Sequence, residues 1–239
     1  MQVNNSEKEL LAKKLEEFQF GCLEEIQDNP FIVLAGEQGS GKTHLLCSMA
    51  SIMPLVILDT EFRGHTVVKK WLGTTKFPIY YKRVSNYLDV LTAINASYKL
   101  LKDQQFALAV DSGTDLQQFA ENRYKNVAKM EKIWPQYLWA IIWDMCDSII
   151  DSIRHKGNIL LFTTRMKDEY AGDKATGNQI PRIYHRVPYS ADIVLELNKD
   201  EKTPYTLTKN GYHLQQKHKF EKRLLLPEII DKIRKNDLT

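Results

Sequence analysis

The chain has 239 residues, with 33 Lys and Arg against 30 Asp and Glu, for a formal net charge of +3. Hydrophobic content of 43% and charged content of 26% suit one ordinary soluble globular domain with additions, not a disordered or fibrous chain. No apolar stretch approaches the roughly 20 residues that span a bilayer, and no basic-then-apolar leader opens the sequence. The mild positive charge permits a nucleic-acid partner without arguing for one. Cys22, Cys47 and Cys146 lie far apart without a Cys-x-x-Cys pair. They point to core filling in a reducing cytoplasm, not to zinc or disulfides.

In chain order, residues 1–30 read first as a helix. Ser6 and Glu9 have capping-box spacing, and Leu10, Leu11, Leu15, Phe18, Cys22 and Ile26 recur at helical intervals. Such a stripe packs either on the domain's own sheet or on a neighbouring subunit. Asn29-Pro30 ends it. Then FIVLA at 31–35 reads as a buried strand and leads into GEQGSGKT at 36–43 and a following helix. Strand, G-x-x-x-x-G-K-T and helix form the sequence of parts that cradles phosphates, because glycines let consecutive N–H groups converge beside a positive helix terminus. Gly36, Glu37, Gln38, Gly39, Ser40, Gly41, Lys42, Thr43 and His44 are therefore the candidate nucleotide-binding residues. Lys42 is placed for the β/γ-phosphates, and the Thr43 hydroxyl for Mg²⁺. The motif predicts a nucleoside triphosphate site.

LVIL at 55–58 reads as a second buried strand, closing on Asp59-Thr60-Glu61. Open α/β sheets bind ligands at such strand ends, so Glu61 is a candidate catalytic residue that positions or deprotonates water. A solvated loop acid is the other reading. A short helix ends at Trp71, a strand covers 78–84, and a helix covers 87–101 with Leu88, Leu91, Ala93, Ile94, Tyr98 and Leu101 as its apolar side. FALAVD at 106–111 is an apolar run closing on Asp111, the form of a central strand that delivers a magnesium-site acid. Residues 113–133 are polar and carry no assignment.

A long helix follows Trp134-Pro135, with Tyr137, Leu138, Ile141, Ile142, Met145, Ile149, Ile150 and Ile153 on one side. Trp139 and Trp143, one turn apart, fit ordinary helix packing. NILLFTT at 158–164 is the next strand, and Thr163, Thr164 or Arg165 at its end could sense a γ-phosphate. Residues 166–188 read as a long loop; Arg165 just before it and Lys167, Lys174, Arg182 and Arg186 within it interleave with Tyr170, Tyr184 and His185. Cations with rings suit a single-strand binder, while Asp168, Glu169 and Asp173 leave a solvated loop equally open. A strand at 191–197, a hairpin of 205–208 with 212–214 around Asn210-Gly211, and a helix at 227–234 complete the chain.

These segments together resemble the RecA-like ATPases, and most of all the short RecA-fold ATP-binding proteins of phages and mobile elements, some described as single-strand annealing proteins. GEQGSGKT at 36–43, LDTE at 58–61, FALAVDSGTDL at 106–116 and LLFTTRMKDEY at 160–170 carry the match. The resemblance implies an α/β fold: a RecA-like P-loop core over 31–200, its mostly parallel sheet flanked by helices. Residues 1–30 add an N-terminal helix and 201–239 a hairpin and helix of the same domain. It implies ATP and Mg²⁺ as cofactors, Glu61 and Lys42 in catalysis, and Thr43 and Asp111 at the metal. It places residues 165–167 at the start of a DNA-binding loop, and implies DNA-stimulated hydrolysis by a homo-oligomer. RecA proper carries glutamine where this chain has Thr163-Thr164. A switch ATPase with a protein partner and no DNA, and a small-molecule kinase, are the rival expectations.

Overall fold

The structure, a computed structural model, describes residues 29–102, 104–130, 136–154, 158–184, 186–212 and 217–238. The expected helix of residues 1–30, Cys22 included, lies almost entirely outside them, and so does His185. Eight strands form one sheet: β1 (Phe31–Gly36), β2 (Leu55–Asp59), β3 (Ile79–Arg83), β4 (Ala107–Asp111), β5 (Ile159–Thr164), β8 (Ile193–Leu197), β9 (Tyr205–Asn210) and β10 (His218–Phe220). Two more, β6 (Met166–Ala171) and β7 (Lys174–Pro181), pair only with each other. The order across the large sheet is β10-β9-β8-β1-β5-β4-β2-β3, with every pairing from β8 to β3 parallel.

The central strands are buried on both faces, so they read as continuous apolar runs whose side chains alternate between two cores. In β1, Phe31 and Val33 join one core while Ile32 and Leu34 join the other. The first core is covered by α3 (Tyr87–Leu100), α4 (Thr114–Met130), α5 (Gln136–Arg154) and α6 (Arg186–Ser190). The second is covered by α1 (Lys42–Cys47), the 3-10 turn Ser48–Ser51, α2 (His65–Trp71) and α7 (Leu226–Lys235). Cys47 and Cys146 are buried free thiols, pushed up to about 12 by burial, as core-filling cysteines should be.

Four departures from the sequence reading have physical causes. Residues 114–130 are helical although polar: among the described side chains of α4, Leu116 and Ala120 are buried, and Phe119 and Tyr124 pack against the same core. The long loop is instead the β6–β7 ribbon, turned at Gly172-Asp173 with Gly172 at φ +64°. The C-terminal hairpin exists, but its second strand is His218–Phe220, paired with Tyr205–Leu207. In α3, Leu88 points to solvent while Tyr87 and Val90 take the buried positions.

Parallel register sets the functional edge. Leu34 lies beside Thr163, and Asp59 beside Asp111, so the C-terminal ends of β1, β5, β4 and β2 form one row.

Candidate active site

Residues 36–43 wrap one end of that row. A Cβ at Gly36 would lie 2.7 Å from the Leu197 carbonyl oxygen and 2.7 Å from Ser40 Oγ, so only glycine fits where the loop leaves β1. Gly39 (φ +80°) and Gly41 (φ +95°) take left-handed conformations that glycine adopts without strain. The loop thus curls tightly before α1. Ser40 Oγ, buried inside the curl, has no hydrogen-bond partner in the protein. Lys42 Nζ folds over the loop and donates to the carbonyl oxygens of Gly36 and Glu37, at 2.8 Å each. Burial pulls its pKa below the ordinary lysine value, against the opposing pull of Asp111 and Glu61. Glu37 pairs outward with Lys199 at 2.8 Å. On the cleft's rim, Trp71 Nε1 donates to His44 Nδ1 at 3.1 Å, which fixes the imidazole of the residue after Thr43.

Thr43 Oγ1 donates to Asp111 Oδ2 at 2.8 Å, and Thr163 Oγ1 donates to the other carboxylate oxygen. Burial raises the Asp111 pKa above the usual carboxylate range, and these two hydroxyl bonds pull the other way. Of the two sequence candidates for a sensor threonine, Thr163 therefore faces the site. Thr164, on the opposite side of β5, lies 3.2 Å from Thr114 Oγ1 on α4.

Glu61 and Arg165 meet across the cleft mouth. Arg165 Nη2 is 2.8 Å from Glu61 Oε2, and Nε donates to Oε1 at 3.1 Å, a two-pronged pair. The Glu61 carboxylate raises the Arg165 pKa further. Sequence reasoning missed what holds Glu61 there. Asp59, 1% exposed, accepts the backbone N–H groups of Glu61 (2.9 Å), Phe62 (2.8 Å) and Gly64 (2.8 Å), and also the Tyr81 hydroxyl. A carboxylate that gathers three amides clamps the turn, which puts Phe62 at φ +60°. The LDTE motif offered a signal for this, since an acid two residues before Glu61 suits an Asx turn. Asp59→Ala is expected to cost about 2–4 kcal/mol by urea denaturation, because three amides lose their acceptor. Turnover is expected to fall with it, and Asp59→Asn, which keeps an acceptor oxygen, to do less harm in both measurements.

These groups line a cleft of about 290 Å³ that runs from Gln38 to Arg165. The proposed DNA-contacting cations are not all together. Lys167 on β6 and Arg182 at the ribbon's root gather beside Arg165, and the Arg182 amide donates to the Arg165 carbonyl oxygen at 2.6 Å. Lys174 sits exposed next to the ribbon's turn, away from them. Arg186 belongs to another surface, where it pairs with Asp147 at 2.9 Å and lies over the Trp143 ring. Trp143 itself stacks on Tyr184, as helix packing predicts.

Residues 28–224 match the AAA domain family. The chain belongs to that family. As an AAA-domain protein with a P-loop at the carboxyl edge of a mostly parallel sheet, it is an ATPase of the RecA-like P-loop type. Two solved structures are similar to it at low sequence identity. The ATPase domain of a phage protein is 9% identical, with 92% of this chain and 96% of that one covered and a TM-score of 0.44. A DnaB-like replicative helicase, solved with attention to its interactions with primase, is 9% identical with a TM-score of 0.42. There the match covers 92% of the AAA-domain chain and 64% of the helicase's own length. A search of curated proteins finds no match. Among the described residues, no helix of this AAA-domain protein is long and apolar enough to cross a membrane.

Proposed function

We propose that this ATPase hydrolyses ATP with Mg²⁺ in response to single-stranded DNA, as a homo-oligomer serving recombination or replication. The observation that carries the reading is Arg165. It holds Glu61 by two contacts and is also the residue from which the exposed β6–β7 ribbon departs. Whatever displaces the ribbon acts on Glu61.

The residues fit the cofactors. Glycine curvature, the unpartnered buried Ser40 hydroxyl and the Lys42 ammonium supply donors for phosphate oxygens. Thr43 and Asp111, an alcohol and a carboxylate in contact, are the hard oxygen ligands that Mg²⁺ takes alongside phosphates and water. When bound, Mg²⁺ would neutralise charge on the β- and γ-phosphates. For their part, Lys42 contacts the phosphates, Glu61 orients or deprotonates the attacking water, and Thr163 holds Asp111 in place.

Steady-state hydrolysis with and without a single-stranded oligonucleotide, across a salt series, tests this. The expected result is stimulation that disappears as salt rises, since phosphate contacts make affinity fall steeply with salt. Chelating Mg²⁺ is expected to stop turnover in both arms. Hydrolysis that ignores DNA at every salt concentration sinks the DNA reading and leaves a switch ATPase. Turnover that requires a small-molecule acceptor indicates a kinase instead.

A further inference from the structure

Asp59 shapes the turn that carries Glu61, but its bonds to those amides all lie within five residues of chain. They cannot set where the turn stands relative to β4. Thr60, 5% exposed, reaches that strand. Its backbone N–H donates to the Asp111 carbonyl oxygen at 2.8 Å, and one such bond alone acts as a pivot. Its hydroxyl removes the pivot. Thr60 Oγ1 accepts from the Ser112 N–H at 2.8 Å, and it lies 2.9 Å from the Ser112 carbonyl oxygen and 3.0 Å from Asp115 Oδ2. The single hydroxyl proton serves one of these two acceptors at a time, and the charged one holds it better. Either way the bond from Ser112 N–H is kept. The end of β2 is thus fastened to the first residue past β4 and to the start of α4.

We propose that Thr60 is a positioning residue for ATP hydrolysis, its hydroxyl holding the Glu61 backbone at a fixed distance from Asp111. This role rests on the assignment of Glu61 to the attacking water and needs no DNA. The two acids flank the junction: Glu61 follows Thr60 by one residue, and Asp111 precedes Ser112 by one. Asp111 has supports of its own in the hydroxyls of Thr43 and Thr163. Glu61 has no such second hold on β4, so the Thr60 hydroxyl acts chiefly on the water-orienting side. Geometry of this kind carries a large share of catalysis, since a misplacement of about 1 Å costs about 100-fold in rate. The hydroxyl is also hard to replace. Ser112 is 2% exposed, so bulk water does not reach its amide when the hydroxyl is gone.

Hydrolysis by the full chain at saturating ATP and Mg²⁺, beside ATP titration, tests this. Thr60→Val keeps the side chain's shape and loses the bond. It is expected to lower kcat by about 10- to 100-fold and to leave the ATP dissociation constant within about twofold, because the phosphate loop is untouched. Thr60→Ser, which keeps the hydroxyl, is expected to stay within about threefold of wild type in both. Thr60→Ala guards against misfolding of the valine variant: it leaves room for a water that satisfies the Ser112 amide but tethers nothing. Its kcat is expected to fall as that of Thr60→Val does. Placed in a Glu61→Gln background, Thr60→Ala is expected to change the residual turnover by less than about twofold, since a residue that acts through Glu61 has nothing left to position. Hydrogen exchange of the nucleotide-free protein gives a readout apart from turnover. The amides of residues 60–64 are expected to exchange about five- to tenfold faster in Thr60→Ala than in Thr60→Ser. Full kcat in both Thr60→Val and Thr60→Ala, or unchanged exchange, overturns the role of Thr60. So does an equal loss in the wild-type and Glu61→Gln backgrounds, which marks general damage while the Glu61 assignment stands. If Glu61→Gln itself turns over as wild type does, that assignment falls first and the role of Thr60 with it.

Discussion

Glu61→Gln is expected to lower ATP turnover by about two to four orders of magnitude, the usual worth of a positioned general base. ATP binding is expected to stay within about threefold of wild type, because Glu61 lies on the water side of the cleft and not in the phosphate loop. The substitution is nearly isosteric. Its carbonyl oxygen still accepts from Arg165 Nε, now at 3.1 Å from Glu61 Oε1, and its backbone N–H is still held by Asp59 at 2.9 Å. What is lost is the negative charge and the capacity to take a proton. Single-turnover hydrolysis alongside nucleotide titration separates the two effects. Turnover that survives the substitution moves the base to another residue, and a matching loss of binding makes Glu61 part of nucleotide capture.

The phosphate loop could be read from sequence because its chemistry is local: the glycines, Lys42 and Thr43 act within a few residues of one another. Asp111 was nearly as legible, since an apolar run that closes on an acid already describes a central strand and its ligand end. The choice between Thr163 and Thr164 was not. Both are fully buried in β5, so no hydrophobic alternation marks which face each takes. Only the β4–β5 register, which sets Val110 beside Phe162 and lets the Thr163 hydroxyl reach Asp111, decides it. The ribbon was hidden for the opposite reason. Its strands bury neither face, so they lack the period-two pattern, and only the Gly172-Asp173 turn betrayed them. Charge pattern likewise misled at Arg186, whose partner Asp147 is 39 residues away and invisible to local reading. Asp59 was in plain view, yet its role as a clamp on Glu61 depends on β2 meeting a turn and on Tyr81 arriving from β3.

Lys42→Ala is expected to raise the dissociation constant for ATP by at least about 100-fold, as removal of charge-assisted contacts to two phosphates should. The nucleotide-induced rise in melting temperature is expected to vanish with it, since a ligand stabilises by about 2.7 kcal/mol only when its concentration reaches about 100 times its dissociation constant. The melting temperature without nucleotide is expected to stay level or rise slightly. Burial of the ammonium disfavours its charged form, and its bonds at 2.8 Å to the Gly36 and Glu37 carbonyl oxygens only partly compensate. A group that is unfavourable in the resting fold and favourable once phosphate arrives is there for the ligand, not for the fold. Lys42→Arg keeps the charge but brings a wider planar head into a loop closed by Gly36 against Leu197, so it is not expected to rescue binding. Melting curves of wild type, Lys42→Ala and Lys42→Arg, each with and without ATP and Mg²⁺, check all three expectations. A variant that loses resting stability as well as ATP binding would instead make Lys42 a structural tie across the loop.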